Sequence, residues 1–148
     1  MSPAPLTHRP TSMEELSVLS DRVRVLTAGE MTDGRYEVFE VSGNAGGGAP
    51  LHSHPWDEDF YVLEGTVEIV SGGNVGTYRA GDSLRVQAGT LHGFRVGAAG
   101  TRFLAVTSPA GASGLFRALD QAGREGAITP EQIVRIASLH RVVVPARP

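Results

Sequence analysis

From Val23 to about Thr107 the chain is built from short runs rich in Val, Tyr, Phe and Thr, separated by glycine-centred turn signals. The runs read RVRVLT, RYEVFEV, DFYVLEG, TVEIVS, SLRVQ, LHGFRV and RFLAVTS. The turns fall at Asp33-Gly34, Glu64-Gly65, Gly72-Gly73 and Ala80-Gly81. β-Branched and aromatic residues suit a pleated, half-buried surface, and glycine accepts the positive φ of tight turns. Many short strands at even spacing predict an all-β sandwich or jelly-roll barrel.

A chain of 148 residues is the size of one domain. Net charge is −3 with no basic cluster, which argues against a nucleic-acid partner. No apolar run approaches a membrane span, and MSPAPLTHRPTS carries no signal-type apolar stretch, so a cytoplasmic protein is expected. The chain has no cysteine, which excludes disulfides and thiolate metal ligands.

The expected organisation is an N-terminal arm over 1–20, a β-barrel over 21–108 and a helical extension over 109–148. Within the arm, residues 12–19 suit a helical turn or a lead-in strand. In the extension, residues 114–123 have helical spacing. A second helix is predicted after Thr129, which suits an N-cap, with Pro130 at the first helical position and Gln132 completing a capping box. Val142–Val144 suits a final strand. The extension is expected to cover the barrel or a second subunit, with a lid as the sharper alternative.

The chemistry-bearing residues are His52, His54, Glu58 and His92. Each offers nitrogen or oxygen to a divalent transition metal. In an extended segment His52 and His54 share a face, because strand side chains repeat with a period of two. Glu58 and His92 fall in separate later strands, so the four donors converge if the sheet curls around them. The same alternation turns Asp57 and Asp59 away from the Glu58 face. It puts Phe60 and Val62 beside Glu58, and Phe94 and Val96 beside His92, as apolar cavity walls. Trp56 is expected at the cavity mouth, and Tyr36 is a further candidate for substrate contact. His8 and His140 are assigned no role.

The stretch GGGAPLHSHPWDEDFYVLEG reads Gly46-x5-His52-x-His54-x3-Glu58-x6-Gly65, which resembles the first motif of the cupin superfamily. The segment from Gly81 places Gly89 and His92 as the second cupin motif does. It departs at Gln87, where that motif has proline, and at Val96, where it has asparagine. The resemblance implies a cupin jelly-roll β-barrel holding one divalent transition metal (Fe, Mn, Ni, Co, Cu or Zn) on His52, His54, Glu58 and His92. It also implies a small-molecule substrate and a homodimer. FYVLEG and the helical tail are similar to single-domain cupins grouped with quercetin dioxygenases. The function so implied is a dioxygenase acting on an aromatic or enolisable substrate, with Glu58 also taking the substrate proton. The alternatives are a redox-neutral cyclase, isomerase or lyase, similar to small polyketide-cyclase cupins, and a non-catalytic small-molecule binder.

Overall fold

The computed structural model describes residues 14–145. Eight strands are present: β1 (Glu14–Val18), β2 (Asp21–Thr27), β3 (Glu37–Gly43), β4 (Gly48–His52), β5 (Asp57–Ser71), β6 (Asn74–Arg79), β7 (Ser83–Val86) and β8 (His92–Ser108). Two helices follow, α1 (Ala112–Glu125) and α2 (Pro130–Leu139). The main path of the sheet is β1-β2-β3-β8-β5-β6, with β4 added on β8 and β7 on β5, all antiparallel.

β5 and β8 organise this architecture. The second half of β8 pairs with β3 and with the first half of β5, and its first half pairs with β4 and the second half of β5. Two layers therefore share their two longest strands and face each other as in a jelly roll, without closing into a continuous barrel. The runs 59–65 and 66–71, expected as two strands around a turn at Glu64-Gly65, are one strand. So are 91–96 and 102–108. Irregular register around Val62–Val67 replaces the turn. There Gly65 takes φ +71°, and a Cβ would collide with the Gly100 carbonyl oxygen. Glycine permits a bend where a side chain would force a break.

The sheet starts earlier than the expected barrel boundary. β1 lies inside the 1–20 arm and pairs with β2 from Glu14↔Val25 to Val18↔Asp21. The rest of the arm, with His8, lies outside the described residues. β6 had no counterpart among the expected runs, since NVGTYR is polar and largely exposed.

The core is Val23, Val25, Phe39, Val41, Phe60, Val62, Val67, Ile69, Val86 and Phe103, facing inward from both layers and joined by Leu119, Ala137 and Val142 of the extension. α1 lies against β1, and Phe116 meets Phe39 edge to face with ring centroids 5.0 Å apart. α2 starts as predicted: the Gln132 N–H donates to the Thr129 hydroxyl, and the Thr129 N–H donates to the Gln132 side chain. Beyond α2 the expected strand reduces to one bridge, Val143 with Ser53.

Glu37 ties these parts together. It is fully buried, and its carboxylate accepts from the N–H groups of Gly29, Gly111 and Ser113 at 3.0–3.1 Å. One side chain thus satisfies donors of the turn before β3 and of the start of α1.

Candidate metal centre and its cavity

His52 ends β4, His54 follows on the loop, Glu58 is the second residue of β5, and His92 opens β8. His52 and His92 are direct partners across β4 and β8, so the sheet register brings together residues forty positions apart in sequence. One ring nitrogen from each of the three histidines lies within 4.8 Å of the others. Glu58 Oε1 is 3.1 Å from His54 Nε2 and 3.4 Å from His92 Nε2. Four residues expected to converge therefore do so.

The backbone fixes which nitrogen each ring presents. Nδ1 of His52 lies 2.7 Å from the Pro50 carbonyl oxygen, that of His54 2.9 Å from Trp56, and that of His92 2.8 Å from Thr90. A carbonyl only accepts, so each Nδ1 carries the proton and each Nε2 keeps a lone pair. With both rings neutral, Nε2 of His54 and of His92 faces a carboxylate oxygen lone pair to lone pair, a repulsive contact unless a proton or a metal ion lies between. Nε2 of His92 is buried and, among the described residues, has no hydrogen-bond partner, Glu58 lying 3.4 Å away. Carbonyl-anchored imidazoles with free inward nitrogens are what metal ligation requires, and the three-histidine cluster suits a divalent metal.

The electrostatics follow the same geometry. Burial holds His52 down at about 4, with His92 adding repulsion, so His52 is neutral at physiological pH. Burial pushes the Glu58 carboxyl up, but in the metal-free protein the His54 and His92 imidazoles beside it outweigh this and hold it at about 2. For His92, burial lowers the pKa, but the Glu58 carboxylate 3.4 Å away and the Thr90 carbonyl outweigh it in the metal-free protein, so the pKa lies above the ordinary value.

Distant segments hold the loop that carries the histidines. Ser53, between His52 and His54, exchanges two backbone hydrogen bonds with Val143 of the C-terminal tail, at 2.9 and 3.0 Å. The His54 carbonyl accepts from Gly89 N–H at 2.9 Å. Trp56 is 2 % exposed and stacks on His54, with ring centroids 4.5 Å apart and planes 10° apart. It therefore lies in the interior beneath Gly111, not at a mouth as expected, because the loop folds inward and α1 closes over it.

The cluster opens into a narrow cavity of about 90 Å³. Phe60, Phe94 and Phe103 form its walls, and Leu115 and Phe116 of α1 form part of its boundary. Of the expected wall residues, Phe60 and Phe94 face the cavity, and so does Trp56 from the interior. Val62 and Val96 do not; both are buried elsewhere, Val96 against Gly43. The irregular register beyond Val62 and the curl of β8 break the simple alternation. Tyr36 is 41 % exposed and lies off the cavity in the turn before β3. Asp57 accepts from Ala88 N–H and Asp59 pairs with Arg85, so neither joins the cluster. His140 caps α2 against Gly114. Sequence reasoning missed Asp21, which lines the cavity from the start of β2.

Residues 39–107 match the cupin domain family. On that match, with the curled two-layer sheet and the histidine cluster, the chain belongs to the cupin superfamily. It is 32% identical over 97 residues to quercetin 2,3-dioxygenase of Bacillus subtilis (strain 168), a stretch covering 65% of this chain and 29% of that enzyme. The chain thus spans less than a third of the curated relative's length. Among solved structures it is similar to an RmlC-like cupin of Shewanella frigidimarina (TM-score 0.63, 19% identity, 72% of this chain and 93% of that one). It is also similar to the polyketide cyclase RemF of Streptomyces resistomycificus (TM-score 0.61, 26% identity, 71% and 79%). No helix among the described residues is long and apolar enough to cross a membrane.

Proposed function

We propose that the protein is a metal-dependent cupin enzyme, a dioxygenase acting on a small aromatic or enolisable substrate. The observation that carries this is the arrangement of three imidazoles, each tied through Nδ1 to a carbonyl, converging with Glu58 on an apolar cavity. His52, His54, Glu58 and His92 would hold the ion. When bound, the ion supplies Lewis acidity and, if redox-active, electron exchange with dioxygen.

The chain's own residues do the rest. Phe60, Phe94 and Phe103 give a planar apolar substrate its stacking surfaces and keep water out. Glu58 is the proton acceptor for the substrate's enol or phenol. At about 2 it stays ionised through the neutral range but is a weak base, so it works only on a hydroxyl that is itself acidified. The cavity of about 90 Å³ is smaller than the ~150 Å³ cavity that takes up benzene, so a ligand of even one ring enters only if a wall such as α1 gives way.

Similarity to the polyketide cyclase RemF favours a second reading, redox-neutral cyclisation, isomerisation or lyase chemistry at the same residues. The deciding experiment measures metal content, then turnover of small phenols and enolisable ketones in air and under argon. Oxygen uptake matching substrate loss supports the dioxygenase. Equal turnover under argon overturns it in favour of the redox-neutral enzyme. Bound metal without turnover of any substrate favours a binding protein. A homodimer is also proposed: β1 ends the sheet path, and a second copy would cover an edge that has no strand partner among the described residues. A single-chain mass by light scattering would overturn it.

A further inference from the structure

Asp21 is a buried carboxylate that the proposed chemistry does not use. It opens β2 directly after the β1–β2 turn and is 7 % exposed. Its Oδ1 has no hydrogen-bond partner among the described residues. Outside the His/Glu cluster, it is the one ionisable side chain lining the cavity among the described residues. The backbone makes room for it at two glycines. A Cβ on Gly43 would lie 2.6 Å from Asp21 Oδ1, and one on Gly47 would lie 2.9 Å away.

A carboxylate in such a place is costly. A buried acceptor without a donor forfeits its hydration and receives nothing in return. Burial pushes Asp21 up to about 6, with no charged partner acting on it. Asp21 also borders a polar groove on its outer side, lined by Glu15, Arg22, Arg24 and Glu40, where Arg24 lies 3.6 Å from both Glu15 and Glu40. Gly43 and Gly47, packed against it from the opposite side, bring no charge. Unpaired buried polar groups are rare in folded proteins, and one on a ligand cavity points to a donor that arrives with the ligand.

Its position defines which end of the ligand it meets. Asp21 lies at Gly47, just before β4, whereas His52 is the last residue of β4. Gly48 to His52 spans roughly 13 Å of strand, a distance on the scale of one ring with a short substituent.

We propose that Asp21 is a ligand-binding residue, accepting a hydrogen bond from a hydroxyl or ammonium group on the end of the ligand remote from the metal. The ligand class is then a small apolar body with a metal-chelating oxygen pair at one end and a hydrogen-bond donor at the other. This rests on the metal-dependent reading above.

The test uses the zinc-loaded protein and a hydroxypyranone chelator, unsubstituted or carrying a hydroxymethyl or aminomethyl group opposite the chelating oxygens. Calorimetric titration compares wild type with Asp21→Asn and Asp21→Ala. The parent compound is expected to bind all three proteins equally. At least one substituted chelator is expected to bind wild type about tenfold more tightly than the parent, and Asp21→Ala should abolish that gain. Survival of the gain in Asp21→Asn identifies a hydroxyl donor, because an amide oxygen still accepts from it; its loss identifies an ammonium. No gain in wild type, or a gain that persists in Asp21→Ala, overturns the proposal. Failure of wild type to bind zinc sinks the metal reading instead, and thermal melting then decides on Asp21. An unpartnered carboxylate with a raised pKa costs stability as pH rises through about 6. Asp21→Asn should therefore melt higher than wild type at pH 8, with the difference shrinking at pH 4. A lower melting temperature at pH 8 would mean that Asp21 has a structural partner, and would overturn the proposal.

Discussion

Glu37 and Glu58 are buried carboxylates in one cross-strand row, both opposite Thr107 of β8, yet they do different work. Glu37 takes three backbone N–H groups and faces no imidazole. Glu58 takes no backbone donor among the described residues and faces two imidazoles and a cavity. Burial alone does not distinguish a structural acid from a chemical one. The partners do. Backbone donors are permanent, so the group they satisfy is committed to the fold, whereas side-chain nitrogens with free lone pairs leave room for an ion.

The comparison can be broken most decisively at Glu37. Glu37→Ala strands three donors in the interior and should cost roughly 3–5 kcal/mol in urea denaturation, freeing the start of α1. A loss below about 1 kcal/mol would show that water or neighbours replace the carboxylate. Glu58→Gln should instead lower metal affinity by about 100-fold in competitive chelator titration, with a loss of metal-free stability at neutral pH that disappears as pH falls towards 2, because the fold favours the ionised carboxylate. Unchanged metal binding would remove Glu58 from the ligand set.

Acid should act through the histidine cluster and its carboxylate. His52 has a folded pKa of about 4 against an ordinary 6.5, so its contribution is complete above 6.5 and is lost as pH falls towards 4. Glu58, held at about 2 against 4.5, contributes fully above 4.5 and loses its share as pH falls through 2. The raised pKa of His92 acts oppositely, adding stability that fades as pH rises through its folded pKa. Metal-free protein should therefore lose stability on acidification below 6.5, and His52→Ala should flatten that slope. A slope unchanged by His52→Ala would place the sensitivity elsewhere. The smallest effect is expected at Thr107, whose buried hydroxyl lies between the two acids with no partner among the described residues. Thr107→Val should change stability by less than about 1 kcal/mol and leave metal binding unaltered, since shape is kept and an unsatisfied group is removed. A larger loss in either measurement would mean that the hydroxyl couples the two carboxylates.

Much of this was legible in the chain. The spacing of His52, His54, Glu58 and His92 identified residues that the structure brings together, and Thr129 with Gln132 marked the start of α2, because caps depend on residues three apart. Alternation placed Phe60 and Phe94 on the cavity wall but failed for Val62 and Val96, since it assumes a strand without register shifts. The continuity of β5 was hidden for a related reason: a glycine that signals a turn serves equally well as a bend.

By itself the sequence determined the local conformations, the family motif and the donor atoms available for chemistry, all of which depend on neighbours within a few positions. The tertiary structure decided which buried group meets which partner. Glu37 finds its donors on Gly111 and Ser113, 74 and 76 residues away, Ser53 is held by Val143, and Asp21 Oδ1 is left without a donor among the described residues. Hydrogen bonding and desolvation act over a few ångströms of space, and separation along the chain does not reveal which groups the fold brings within that reach.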